Sequence, residues 1–161
     1  MLLGIVSDTH GHIPNTRSAT RALAQLDVET VIHCGDIGSG EIVPLFSAWP
    51  THFVLGNVDT HECQLQRVVL AQGQSWHHRF GSLELQGRKI ALLHGDDLRR
   101  LRQTIDGGQW DLVCCGHTHV AKVERRGSTL VVNPGAVYRA RQHSLAVVDL
   151  PSLEVTHVPL T

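Results

Sequence analysis

The chain has no apolar run near the ~18 residues that a membrane-spanning helix needs. It also lacks a surplus of either charge, a disulfide-like cysteine framework and a nucleotide-binding glycine signature. Each absence excludes a class. Lys and Arg number 14 against 15 Asp and Glu, a formal net charge of -1. That balance gives no support for the broad positive footprint of a nucleic-acid binder. The local basic clusters Arg99-Arg100-Leu101-Arg102 and Arg125-Arg126 read as a solvated helix face and a hairpin tip. Without Gly-x-Gly-x-x-Gly or a P-loop, sugar- or nucleotide-binding proteins built on those loops drop out. Cys34, Cys63, Cys114 and Cys115 are expected to be thiols in a reducing compartment. The apolar run at residues 2–6 is too short for a signal-peptide core and follows no basic segment, so the expected location is the cytoplasm. No linker, low-complexity tract or internal repeat divides the 161 residues, and residues 1–161 are expected to form one domain.

What is present is an ordinary globular composition, 42% hydrophobic and 18% charged, with twelve histidines. That many histidines in so short a chain is the first compositional sign of metal chemistry. Five segments share one layout, an apolar run that ends abruptly in metal-ligand residue types. They are Ser7-Asp8-Thr9-His10-Gly11, His33-Cys34-Gly35-Asp36, Gly56-Asn57-Val58-Asp59, His94-Gly95-Asp96 and Gly116-His117-Thr118-His119.

The order of elements is that of an α/β protein. Strands are expected over residues 1–7, 30–34 and 52–55, with helices from Asn15 or Thr16 to Gln25, over 41–48 and over 62–71 between and after them. Alternating strands and helices imply a parallel sheet with crossover helices. Residues 82–85 and 89–93 flank a tight turn and read as a hairpin. Asp97 caps a helix bearing Leu98, Leu101 and Ile105, and residues 112–115 form another buried strand. The rest is mostly β, at 120–125, 129–132, 144–149 and 153–157, giving two packed mixed sheets flanked by helices. In open α/β sheets, sites form beyond the carboxyl ends of strands. Asp8, His10, Asp36, Asn57, His94, His117 and His119 all stand at such ends.

Asp-x-His, Gly-Asp, Gly-Asn, a single His and Gly-His-x-His, in that order, resemble the motif set of the calcineurin-like metallophosphoesterases. The resemblance runs through Asn133-Pro134-Gly135 and looks closest to the small bacterial and archaeal phosphodiesterase branch, to which Vps29 is related. It implies a single-domain, four-layer α-β-β-α sandwich and two divalent transition-metal ions, manganese foremost, with iron, zinc, nickel or cobalt as alternatives. By motif, Asp8, His10 and His119 hold the first ion, Asn57, His94 and His117 the second, and Asp36 bridges them. Mixed imidazole and carboxylate ligation suits these metals better than magnesium or calcium. The implied reaction is hydrolysis of a small-molecule phosphoester, most of all a phosphodiester, by a metal-bridging hydroxide. Asp36, Asn57 and His94 are then also the residues at the reacting centre. A homo-oligomer is compatible with this reading, and a membrane partner is not expected.

The sequence departs from the pattern at Val58, where many relatives carry a His that protonates the leaving group. Its absence favours diesters and good leaving groups. His12, and after it Asp59, are candidate substitutes. Arg139 and Arg141 follow Asn133-Pro134-Gly135-Ala136, near where relatives often carry an Arg, and are candidates for a phosphate oxygen. Ala136 stands where the family usually has Ser. The competing function is a non-catalytic, Vps29-like interaction scaffold on the same fold. A structural zinc site from Cys114, Cys115, His117 and His119 is disfavoured, because neighbouring strand residues point to opposite faces.

Overall fold

A computed structural model describes residues 1–160. The strands are β1 (Leu2–Val6), β2 (Thr30–His33), β3 (Thr51–Phe53), β4 (Ser75–Trp76), β5 (Phe80–Leu85), β6 (Arg88–Leu93), β7 (Leu112–Cys114), β8 (Ala121–Arg126), β9 (Thr129–Pro134), β10 (Ser144–Asp149) and β11 (Glu154–Pro159). The helices are α1 (Ile13–Gln25), α2 (Glu62–Ala71) and α3 (Leu98–Asp106), with a 3₁₀ helix at Gly40–Phe46. One sheet has the order β11-β10-β1-β2-β3-β4 and the other β5-β6-β7-β9-β8. Both are mixed: β1 to β4 run parallel while β10 and β11 pair antiparallel, and β6, β7 and β9 run parallel between antiparallel edges.

The side chains alternate as a period of two requires. On β1, Leu3 and Ile5 enter the layer between the sheets, and Val6 faces the helices. Ile32 on β2, Ile90 and Leu92 on β6, and Leu112 and Cys114 on β7 fill the same middle layer. Beyond the first sheet, Ala19 and Leu23 of α1, Leu65 and Val69 of α2, and Phe46 cover its outer face. Beyond the second, Ala91, Leu93, Val113 and Cys115 meet Leu101 and Ile105 of α3. The result is the expected α-β-β-α sandwich. Cys114 and Cys115 lie in different layers, so a shared zinc ion has no place between them.

Several boundaries differ from the expectation, each for a local reason. Helix α1 starts at Ile13 rather than being capped by Asn15 or Thr16. His12 is its cap and accepts from the Asn15 amide at 3.3 Å, while Pro14 sits in the first turn, where its missing N–H costs nothing. The helix expected over residues 41–48 is a 3₁₀ helix capped by Ser39. Pro44 lies inside it and has no N–H to continue an α-helical ladder. Strand β4 was not legible, since its two residues only extend the sheet edge beside β3. The basic clusters are as expected: Arg99, Arg100 and Arg102 lie exposed on α3, and Arg126 at the hairpin pairs with Glu124 and Asp106. No helix of the described residues is long and apolar enough to cross a membrane.

Leu92 is fully buried between the sheets. Leu92→Ala is expected to cost roughly 2–5 kcal/mol in urea unfolding with little change in the denaturant slope. A cost under about 1 kcal/mol would contradict this account of the middle layer.

Candidate metal centre

All five ligand-bearing segments leave the carboxyl ends of parallel strands. Asp8 follows β1, Asp36 follows β2 and Asn57 follows β3, three neighbours in one sheet. His94 follows β6 and the His117-Thr118-His119 turn follows β7, neighbours in the other. The two sheets therefore present their strand ends to one another across a single cleft.

Backbone bonds lace these turns together. Asp8 donates to Gly35 at 3.0 Å, His10 to Asp36 at 2.9 Å and Gly11 to Ile37 at 2.8 Å, extending the β1–β2 pairing past the strands. Gly116 donates to the His94 carbonyl at 2.8 Å and joins the second pair of turns. Asp8, His10, Asp36, His117 and His119 all have φ between 46° and 70°. Left-handed backbone is uncommon for residues other than glycine and costs of order 1–3 kcal/mol at each. Its concentration on five of the seven expected ligands shows a surrounding structure that holds these side chains against local preference.

The side chains fall into two groups that meet at Asp36. In the first, His119 Nε2 lies 3.1 Å and His10 Nε2 3.9 Å from Asp8 Oδ1, and His10 Nε2 lies 3.7 Å from Asp36 Oδ2. One ligand atom from each of Asp8, His10, Asp36 and His119 lies within 4.8 Å of all the others. In the second, His94 Nε2 lies 3.3 Å from Asp36 Oδ1 and 3.1 Å from Asn57 Oδ1, with the His117 ring 5.1 Å from that of His94. The two oxygens of Asp36 thus face different groups.

The hydrogen bonds behind these atoms favour a cation in front of them. His119 Nδ1 donates to the Arg139 carbonyl at 2.9 Å, which turns Nε2 toward the Asp8 carboxylate. Asp8 Oδ1 is buried and has no hydrogen-bond partner. A positive charge between His119 Nε2 and this atom, 3.1 Å apart, would satisfy the buried oxygen. His94 Nδ1 likewise bonds the Cys34 carbonyl at 2.8 Å, the arrangement that orients metal-bound imidazoles. Burial alone would raise the Asp36 pKa, but the hydrogen bond and charge of His94 outweigh it and hold the carboxyl below its usual range. Burial opposes a charged His94, yet Asp36 keeps its pKa above the ordinary value. Burial lowers that of His10. The donor set therefore fits divalent cations.

Two residues outside the expected ligand set fix this frame. Asp59, a candidate general acid by its position in the sequence, is buried and accepts from the amides of Ile37, Gly38 and Gly56 at 3.1, 2.8 and 2.9 Å. Burial pushes its pKa up and those three amides pull it back. It ties the Asp36 turn to the Asn57 turn, with no free donor to offer a substrate. His33 is fully buried, accepts from the Gly35 amide through Nδ1 at 3.3 Å, and meets Thr9 Oγ1 at 3.0 Å. Thr9 Oγ1 in turn donates to Ile37 at 3.0 Å, so this chain of bonds joins the Asp8 and Asp36 turns.

His12, the other candidate acid, caps α1 and stacks on Tyr138 at 4.0 Å. Val58 is 38% exposed beside Asp36, and its amide donates to Asp36 Oδ1 at 3.1 Å. Arg139 and Arg141 are exposed and line a groove that opens beside His119. Ala136 is fully buried. Burial pushes the Cys115 thiol up to about 12 and raises those of Cys34 and Cys114 well above the ordinary thiol range.

Comparison with known proteins agrees with this geometry. Residues 1–152 match the family model described as the calcineurin-like phosphoesterase superfamily domain. The chain is 36% identical over 165 residues to phosphodiesterase MJ0936 of Methanocaldococcus jannaschii, covering 99% of each chain. It superposes on the solved structure of an archaeal phosphodiesterase with a TM-score of 0.90 and 32% identity, covering 99% of this chain and 100% of that one. The zinc complex of Vps29 from Entamoeba histolytica shares the fold, with a TM-score of 0.65 at 17% identity over 99% of this chain and 98% of that one.

Two outcomes test the frame. Burial lowers the His33 pKa to about 3, well under its ordinary 6.5, so between those values the unfolded chain binds the extra proton. Stability is then full above the unfolded value and falls as pH drops through that window, by roughly 2–3 kcal/mol from pH 6.5 to pH 4.5. In chelator, His33→Gln should flatten that dependence, and parallel curves for the two proteins would count against it. A Cβ on Gly116 would collide with Ser7 Oγ and lie 2.8 Å from Asp8 Oδ2. Gly116→Ala is expected to weaken metal binding about 10–100-fold by calorimetry, and unchanged affinity would contradict the packing described.

Proposed function

We propose a phosphodiesterase function for this chain, which belongs to the calcineurin-like phosphoesterase superfamily. Family membership makes it a metal-dependent hydrolase of phosphoesters. The diester preference and the paired metal centre are inferred. The observation that carries the pair is Asp36, whose Oδ2 faces His10 at 3.7 Å and whose Oδ1 faces His94 at 3.3 Å.

On this reading, Asp8, His10 and His119 hold one divalent ion, Asn57, His94 and His117 the other, and Asp36 lies between. Imidazole with carboxylate and amide oxygen suits manganese, iron, zinc, nickel or cobalt. Two such ions supply an acidified water as nucleophile and positive charge for the phosphoryl oxygens. The protein's own part is orientation. The carbonyls of Cys34 and Arg139 hold the Nδ1 protons of His94 and His119 and turn both Nε2 atoms inward. Two carboxylates cannot neutralise two divalent ions, so the cleft retains positive charge and prefers an anionic ester. The Arg139 charge is felt at His10 and adds to that preference.

Beside Asn57 stands Val58, which has no proton to give. Asp59 is locked by three amides and the Nδ1 of His12 caps α1, so neither replaces the His that Val58 displaces. Hydrolysis should then depend on the leaving group's own acidity. Diesters fit this site better than monoesters, since loss of a monoester's alcohol gains more from a protein acid. The scaffold alternative draws support from the shared fold alone, whereas the full ligand set favours the enzyme. The four free cysteines agree with action in a reducing cytoplasm.

Protein loaded with manganese is expected to bind two ions per chain, hydrolyse bis(p-nitrophenyl) phosphate faster than p-nitrophenyl phosphate, and lose activity to chelators. Asp36→Asn should lower both metal content and rate, the rate by ~10³-fold or more. The rate should fall steeply as leaving-group pKa rises, and Val58→His should flatten that slope, because general acid assistance is worth ~10²–10⁴-fold. No hydrolysis of either ester with manganese, iron, zinc, nickel or cobalt, or at most one ion bound, would reject the reading.

A further inference from the structure

A groove of about 520 Å³ opens beside His119 and runs away from the metal centre along the segment Arg139 to Gln142. His119 lines it and also faces Asp8, so the groove opens at the edge of the metal centre. Arg139 and Arg141 lie along its wall, while Asp and Glu are absent from its lining. Among the described residues neither guanidinium has a carboxylate partner. Elsewhere several arginines of this chain do find partners: Arg79 pairs with Glu62, Arg88 with Asp111, and Arg126 with Asp106 and Glu124.

The two arginines differ in their reach. Arg139 has φ 60° and its carbonyl is fixed on His119, which puts it at the inner end. Arg141, two residues on, belongs to the groove rather than to the ligand set. A single phosphate at the metals would use Arg139 and leave Arg141 idle. A volume in the ~300–1,000 Å³ range of small-molecule sites is large enough for a whole ester arm.

We propose that this groove receives the non-leaving arm of the substrate and that Arg141 binds a second anionic group carried on that arm. The substrate class is therefore a phosphodiester with a further phosphate or carboxylate at the far end of one arm. The inference rests on the phosphodiesterase reading and adds the identity of the arm. A planar guanidinium suits either anion, since it bonds both in the same forked geometry.

The test compares two chromogenic diesters with the same leaving group. One is the p-nitrophenyl ester of thymidine monophosphate, and the other carries an additional phosphate on the far side of the sugar. The wild-type protein should show a KM about tenfold lower for the second, as one charge-assisted contact provides. Arg141→Ala should erase that difference, and Arg141→Lys should restore part of it. Calorimetry gives a readout independent of turnover: thymidine bisphosphate should bind about tenfold tighter than thymidine monophosphate, and Arg141→Ala should remove the gap. Equal KM values or equal affinities for the members of each pair in the wild type, or a gap that survives in Arg141→Ala, overturn the subsite. Loss of all diester hydrolysis with the binding gap intact overturns the phosphodiesterase reading and leaves the subsite standing.

Discussion

The carboxylate of Asp36 is the constraint on which the site depends. It is buried, it follows β2, and each of its oxygens faces a histidine from a different part of the chain. A buried carboxylate is costly unless positive charge or hydrogen bonds compensate it. Here the compensation comes from one amide, that of Val58, and from imidazoles that reach it from the ends of β1 and β6. Satisfying this one group requires the two sheets to stack with their strand ends aligned. The sandwich and the metal centre are therefore one structural problem.

The residues behind the ligands show how the alignment is maintained. Asp59 and His33 do not reach the reacting centre, yet each ties two ligand turns together through backbone groups. Asp59 spans the Asp36 and Asn57 turns, and His33 with Thr9 spans those of Asp8 and Asp36. Such bonds keep Asp8 and Asp36 in left-handed backbone. Strain at a site persists only where its neighbours over-determine it. These two residues have opposite chemistry and serve the same end. One is a carboxylate that accepts three amides, the other an imidazole kept neutral by burial.

Much of this was legible in the residues. The order of strands and helices marked out two packed sheets with helices outside them. The recurrence of Asp, Asn and His just past strand ends pointed to the cleft, because strands of one direction put their carboxyl ends together. What stayed hidden was hydrogen bonding by residues whose type allows several roles. Asp59 follows a Gly-Asn turn and has the chemistry of an acid catalyst. Only its burial under three amides shows that it serves the backbone instead. His12 sits two residues from a ligand, and only the start of α1 at Ile13 reveals it as a cap. His33 sits inside a strand, where a histidine reads equally well as core filler or as ligand.

The same contrast explains why Val58 matters more than its exposure suggests. Many enzymes hold a proton donor opposite the nucleophile, where it is worth ~10²–10⁴-fold. In this cleft the two nearby candidates are engaged, Asp59 by amides and His12 Nδ1 by α1. The selectivity of the centre then shifts from proton transfer to charge and fit. With the proposed pair of divalent ions, the cleft would be net positive and select an anionic ester, and the groove past His119 would add guanidinium groups where a donor to the leaving group would otherwise discriminate. Binding of a distant anionic arm becomes useful to catalysis under these conditions, because contacts far from phosphorus can hold the ester in line with its nucleophile. An enzyme without an acid gains most from such positioning when its substrate already carries a good leaving group.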